Sequence, residues 1–389
     1  MSIKLGIDRI DAFTSLFTDK RIGLVTNHSG VNSKFESTID ILNSCFNLVK
    51  LFAAEHGVRG NLQAGIPVDS YVDARTNLPI VSLYGTSEKF SKEMLDDIDV
   101  IAVDLPDIGS RFWTYTYTMA YAMQACKQYN KTCIIFDRPN PINAIDVEGN
   151  ILNMEYASFV GLYPIPYRHG LTMGECAKLF NEEYGIGCDL EVITMSGYTR
   201  EMYFSDTGLS WILPSPNIPT PETCFTFCAS CVFEGTNVSE GRGTNKPFTF
   251  IGAPWIDSDK LTDHMNALNL PGVYFRNNYF TPVYVSGETM FARAKHRDEL
   301  CRGVEIHVTD KKLFKPVKSG LSLLYAIRDM HKEFKFAEPY SEGALASIDR
   351  LTGDSYIGEG KYSLDQVMTI YEKDSAEFIK TKAKYHLYE

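Results

Sequence analysis

DVIAVDLPD, residues Asp99 to Asp107, is an apolar run that ends in two carboxylates on either side of a Leu-Pro pair. Val and Ile dominate it, no glycine interrupts it, and a polar cluster precedes it. A strand buried on both faces of a parallel sheet reads this way. Two more segments have the same form: LVKLFAAE (Leu48 to Glu55) and TCIIFDRPNP (Thr132 to Pro141). A fourth, RIGLVTNHSG (Arg21 to Gly30), ends in Asn27 and His28. In an open α/β sheet, ligands bind in the crevice at the carboxyl ends of the strands. Glu55, Asp104 or Asp107, and Asp137 are therefore expected along one rim, with Asn27 and His28 added by the fourth segment. Buried or crowded acids are costly unless they are used, so this rim is read as the active site.

Outward from these strands, the first half of the chain alternates strand and helix. Helices are expected near residues 35–44 and 91–97, and over about Arg111 to Tyr129. IVSLYG (Ile80 to Gly85) and LEVITM (Leu190 to Met195) supply further strands. LTMGECAKLFNEEYG (Leu171 to Gly185) reads as a helix capped by Thr172, with Glu175 completing a capping box. The polar loop Gly57 to Pro79 is long for a routine connection and is read as functional. This βα rhythm predicts a Rossmann-like, mostly parallel sheet with helices on both faces. It breaks after Phe233. EGTNVSEGRGTNKPF (Glu234 to Phe248) reads as a junction loop. Beyond it, residues 272–285 and 303–310 are strand-like, and residues 319–334 and 363–385 are helical. The expected organisation is a Rossmann-like α/β domain over residues 1–240 and a smaller α+β domain over 241–389.

The 389 residues suffice for two such domains. No run of eighteen apolar residues is present, so no membrane span is expected. A net charge of −11 without a basic block argues against nucleic acid. The start of the sequence carries no signal-peptide pattern. A cytoplasmic protein is expected if the chain is complete, and a periplasmic or secreted one if a leader has been removed. Nine cysteines include one cluster, Cys224, Cys228 and Cys231, but no fourth ligand completes it. These are expected to be buried free thiols. No glycine fingerprint for a dinucleotide, Walker motif, zinc motif or nucleophile elbow is present. Neither a cofactor nor a metal is expected, and the oligomeric state is not legible.

The chemical candidates follow. Glu55-His56-Gly57 directly follows a strand, where a shielded carboxylic acid can serve as general acid. Glu55, His56 and Asp137 are the catalytic candidates. Asp104 and Asp107 flank Leu105-Pro106, and either orient Arg111 or cap the helix that follows. Arg138 and Asn140 sit in a stiff Asp-Arg-Pro-Asn-Pro exit. Arg168-His169 offers a guanidinium that either binds a carboxylate or pairs with the rim. Asn217 lies in the proline-rich PSPNIPTP, and Glu234, Asn237, Glu240 and Arg242 lie in the junction loop.

Eight ordered blocks then carry a resemblance: RIGLVTNHSGV, AAEHGVRGNLQAG, LPIVSLYG, VDLPDIGSRFWTYTYTM, FDRPNP, YRHGLTMGE, PSPNIPT and FEGTNVSEGRGT. Together they resemble the NamZ-type exo-β-N-acetylmuramidases, a glycoside hydrolase family. The resemblance implies a Rossmann-like domain, a smaller C-terminal domain and a cleft between them. It implies release of N-acetylmuramic acid from the non-reducing end of peptidoglycan fragments, with Glu55 matching the catalytic glutamate. Muramyl saccharides are then the expected partners. The second group is open among Asp104, Asp107, Asp137 and the substrate's own acetamido group. Arg59, Arg168, Arg242 and His169 are candidates for the lactyl carboxylate, and Trp113 and Tyr115 for stacking on the sugar. A non-catalytic muropeptide-binding protein and a metal-dependent amidase or esterase are the alternatives.

Overall fold

The computed structural model describes residues 3–55, 57–59, 71–83, 90–283, 294–339, 341 and 343–389. Its first half is built from β1 (Arg21–Thr26), α1 (Thr38–Cys45), β2 (Asn47–Ala53), β3 (Tyr71–Val72), β4 (Pro79–Ser82), α2 (Lys92–Leu95), β5 (Val100–Asp104), α3 (Thr114–Tyr129), β6 (Thr132–Phe136), α4 (Met173–Glu182) and β7 (Asp189–Ile193). The strands form one sheet in the order β3-β4-β2-β1-β5-β6-β7. Every pairing is parallel except β3 with β4. This is the mostly parallel α/β sheet that the sequence predicts.

Alternation along the strands explains why both faces are covered. On β5, Val100 and Ala102 point to one face, with Ile7, Ile39 and Leu42. Ile101 and Val103 point to the other, with Met119, Met123 and Phe180 of α3 and α4. Successive side chains on a strand alternate sides, so an all-apolar strand needs helices on both. The capping box on α4 is present, with the Thr172 hydroxyl accepting from Glu175 N and Glu175 returning to Thr172 N.

The second half contains α5 (Pro221–Ser230), β8 (Phe250–Ala253), α6 (Ser258–Ala267), β9 (Val273–Phe280), β10 (Cys301–Val308), α7 (Pro316–Met330), α8 (Ser347–Thr352) and α9 (Leu364–Lys382). Its three strands form an antiparallel sheet in the order β8-β10-β9. Sequence patterning misses α5, β8, α6 and α8. Helix α5 is buried on nearly every side, so it has no amphipathic period to read. The cysteines of the 224–231 cluster lie in it and just after it, buried and free of disulfides.

The two halves share one core. Phe227 of α5 lies 6.3 Å from Trp113, 6.4 Å from Phe112 and 4.6 Å from Phe248, centroid to centroid. Pairs of this kind add roughly 0.5–1.5 kcal/mol each beyond area burial, which makes the joint stiff. Arg111 is a second tie. Its guanidinium is 1% exposed and donates to the carbonyls of Asn150, Ile165, Leu351 and Thr352. A third tie is the segment after α9. The Tyr388 hydroxyl donates to Asp137 at 2.5 Å, and Leu387 N donates to Glu175.

Candidate active site

Glu55 stands two residues beyond β2, at the carboxyl edge of the sheet, and is half-buried. The first turn of α3 holds it. The Thr114 hydroxyl donates to Glu55 Oε2 at 3.0 Å. The Tyr115 hydroxyl lies 3.0 Å from the Glu55 carbonyl oxygen and 3.0 Å from that of Pro214. Asn27, just past β1, donates through Nδ2 to the Tyr115 oxygen at 2.8 Å. Its own Oδ1 accepts from the amide and hydroxyl of Ser29. Three candidates, Asn27, Glu55 and Tyr115, thus come together in one network, and Thr114 and Pro214 complete it. Tyr115 is fully buried, so it orients Glu55 and offers no face to a sugar. His56 lies outside the described residues, as does most of the long loop after it.

The other rim carboxylates are engaged internally. Asp104 is fully buried and takes Arg138 bidentately, Nε at 2.5 Å and Nη2 at 2.8 Å. The Thr38 hydroxyl donates to it as well. Asp137, expected as a catalytic group, is also fully buried. Its oxygens accept from Gly174 N at 2.7 Å, Arg138 N at 2.9 Å, Thr172 Oγ1 at 2.8 Å and Tyr388 Oη at 2.5 Å. Gly174 makes this possible, since a Cβ there would stand 2.8 Å from Asp137 Cγ. Burial pushes the Asp137 carboxyl up to about 6, against the hydrogen bonds from Tyr388 and Gly174. In this structure Asp137 ties α4 and the C-terminal segment to β6.

Asp107 differs. Its Oδ2 lies 3.1 Å from His169 Nε2, off the angle of a good hydrogen bond. Among the described residues, its Oδ1 meets the Thr116 hydroxyl at 3.5 Å and no other side-chain donor. Leu171 N donates to His169 Nδ1 at 3.2 Å, which places the ring proton on Nε2, facing Asp107.

The arginines separate by burial. Arg168, a candidate for the substrate carboxylate, is fully buried and sits between Asp146 at 2.9 Å and Glu148 at 3.2 Å. It is an internal ion-pair partner, because it is paired with two carboxylates and has no exposed surface left for a ligand. Arg111, expected at the rim, is the interdomain tie described above. Arg59 is bidentate to Asp73, whose carboxyl that hydrogen bond pulls down to about 2. Asn140 donates to Leu171 O and accepts from Ile142 N, fully buried. Asn237 is stitched to the 333–335 backbone. Asn217 is half-buried, its amide donating to Ser215 Oγ at 3.4 Å.

Arg242 keeps donors in hand. Its Nε and Nη2 reach Glu234 Oε1 at 3.1 and 2.6 Å, while Lys295 takes Glu240 at 2.9 Å. Nη1 has no hydrogen-bond partner among the described residues. Burial works against its charge, but Glu234 and Glu240 overcome that and raise its pKa. The guanidinium lies 5.0 Å from the Phe248 ring, so the aromatic joint links it to Trp113, next to the Glu55 network. Among the described residues, no group of three or more His, Cys, Asp or Glu side chains is placed to hold a metal ion.

Comparison with known proteins identifies the family. The model of the NamZ N-terminal domain, exo-β-N-acetylmuramidase, matches residues 22–222. The corresponding C-terminal model matches residues 225–388. The chain belongs to the NamZ exo-β-N-acetylmuramidase family. It is therefore a glycoside hydrolase. A curated member, the peptidoglycan β-N-acetylmuramidase NamZ of Bacillus subtilis (strain 168), is 46% identical over 99% of this chain and 91% of its own length. Two crystal structures of DUF1343 family proteins from Bacteroides fragilis share the fold. One has a TM-score of 0.88 at 35% identity, with both chains fully covered. The other has a TM-score of 0.78 at 31% identity, covering 100% of this chain and 99% of that one. The NamZ models divide the chain at residues 222–225, at the start of α5.

Proposed function

We propose that this NamZ-family enzyme releases N-acetylmuramic acid from the non-reducing end of peptidoglycan fragments, with Glu55 as general acid. The observation that carries the reading is the Glu55 network. A carboxyl group stands at the carboxyl edge of a parallel sheet, oriented through Thr114 and Tyr115 by the start of one helix, in a chain of this family. Glu55 gives its proton to the glycosidic oxygen as the bond to C1 breaks. Asp104 and Asp137 are held in internal networks and Asp107 is buried beside His169, which favours the substrate's 2-acetamido oxygen as the group that attacks C1. Water then opens the resulting ring, and its proton returns to Glu55. The lactyl carboxylate is assigned to Arg242, the junction-loop guanidinium that is less buried than Arg168 and whose Nη1 has no hydrogen-bond partner among the described residues.

The test is turnover of a chromogenic N-acetylmuramic acid β-glycoside beside its N-acetylglucosamine counterpart. Turnover of the first and not the second supports the reading. Equal turnover of both makes the enzyme a general hexosaminidase. No turnover of either favours a binding protein that has kept the family fold.

A further inference from the structure

A concavity opens at the same sheet edge, walled by residues that follow β1, β5 and β6 and by the segment 209–212. It has a volume of about 60 Å³ and is lined by Ser29, Asn32, Phe35, Asp107, Arg138 and Trp211, among others. It is a near neighbour of the Glu55 network. Ser29 in its wall is two residues from Asn27, so at most about 7 Å of backbone separates them. Pro214, which contacts Asn27 and Tyr115, is two residues beyond the wall residue Ile212 in sequence.

Phe35 is the feature that needs a reason. Its side chain is 61% exposed, and its backbone φ is +66°, in the left-handed region. A bulky side chain is unfavourable there, and an exposed phenyl ring gains nothing from burial. The turn around it is nonetheless rigid. Asn32 Oδ1 accepts from the amides of Lys34 and Glu36, Asn32 Nδ2 donates to Glu36, and Asn32 O accepts from Phe35 N. The chain therefore spends stability to hold an aromatic ring at the mouth of a pocket, and such strain marks functional positions. Trp211 lines the same pocket, half-buried. In the pocket wall stands Asp107, 2% exposed, whose carboxylate has only His169 at 3.1 Å, off hydrogen-bond angle, and the long Thr116 contact among the described residues. An apolar pocket with a few polar groups is the usual form of a small-molecule site. Aromatic rings meet the CH faces of a pyranose, and a carboxylate short of donors meets its hydroxyl or amide hydrogens.

We propose that this pocket is a second saccharide subsite, taking a pyranose unit of the glycan chain beyond the sugar held at Glu55. Its volume holds a few waters. It admits one arm of the sugar, an acetamido or hydroxymethyl group, while the ring rests on Phe35 and Trp211. The proposal rests on the muramidase reading and adds a contact that a one-sugar substrate does not reach.

The test compares Phe35→Gly, Trp211→Ala and wild type on two substrates: an aryl N-acetylmuramic acid glycoside and a peptide-free glycan of four or more sugars. Glycine relieves the left-handed backbone, so Phe35→Gly should have a thermal midpoint equal to or above wild type. This separates lost binding from lost folding. KM for the longer glycan should rise about tenfold in each variant, as the loss of one stacked ring implies. KM for the aryl glycoside should stay within twofold. Equal effects on both substrates, or none on the longer one, overturn the subsite. Failure of the wild-type enzyme on both substrates would instead remove the muramidase reading.

Discussion

Thr114 and Glu55, 59 residues apart in sequence, meet at 3.0 Å, the hydroxyl at the start of α3 donating to the carboxylate beyond β2. The next residue on the helix, Tyr115, reaches the Glu55 backbone. One helical turn thus fixes both the position of the acid and the direction of its carboxyl group. Precision of this kind is what general acid catalysis requires.

Replacing Glu55 by Gln should lower kcat about a hundredfold or more and leave KM within a few-fold. The measurement should use a poor leaving group, because a nitrophenolate departs with little help. Near-normal turnover on such a substrate would remove Glu55 from the acid role.

Thr114→Val keeps the shape of the side chain and deletes its donor. A hydrogen bond of this kind is worth about 0.5–1.5 kcal/mol, so kcat should fall by up to about tenfold as Glu55 loses its orientation, with the thermal midpoint nearly unchanged. An unchanged kcat would show that Glu55 is held by other contacts.

The two arginines of contrasting burial should behave differently. Arg168→Ala leaves Glu148 buried and unpaired, and burial already pushes that carboxyl up. Removing one partner of such a pair costs about 3–5 kcal/mol, so denaturant unfolding should show a large loss of stability. Arg242→Ala should fold, lose activity on N-acetylmuramic acid glycosides and narrow the gap to N-acetylglucosamine glycosides. An unchanged ratio would place the lactyl carboxylate elsewhere.

Asp137 gives a pH signature. Its folded pKa, about 6, lies above the ordinary aspartate value. Between those two values the folded state holds a proton that the unfolded state has lost. By linkage, this group makes stability fall as pH rises from about 4 to 6. The thermal midpoint of wild type should therefore contain a component that increases from pH 7 towards pH 5. Asp137→Asn, which cannot titrate, should lack it. Identical pH profiles would mean that the group is ionised throughout.

The strands and the acid at their edge were legible because burial on both faces leaves an unbroken apolar run, and Glu55 ends one. The helix α4 was legible through Thr172 and Glu175, a pattern local in sequence. What the other rim residues face was not legible. A strand end says that Asp104 and Asp137 reach the rim, but Arg138 and Tyr388, which turn them inward, follow at 34 and 251 residues' distance. The choice for Arg168 between binding a carboxylate and pairing internally is open in the sequence for the same reason, since Asp146 and Glu148 share no periodicity with it. Thr114 gave no signal, because a threonine at a helix start is ordinary until its neighbour is known. Phe35 was hidden differently: its left-handed backbone is a conformational fact that the residue type alone argues against.

The Tyr388 hydroxyl on Asp137 also bears on how the chain is made. Synthesis delivers β6 and its aspartate some 251 residues before the phenol that completes their network. Contacts of such long sequence separation slow folding, and the partners that await them stay exposed meanwhile. The N-terminal sheet therefore matures only after the C-terminal half has emerged. An isolated N-terminal fragment should behave as an unfinished intermediate prone to aggregation, not as a portable catalytic module.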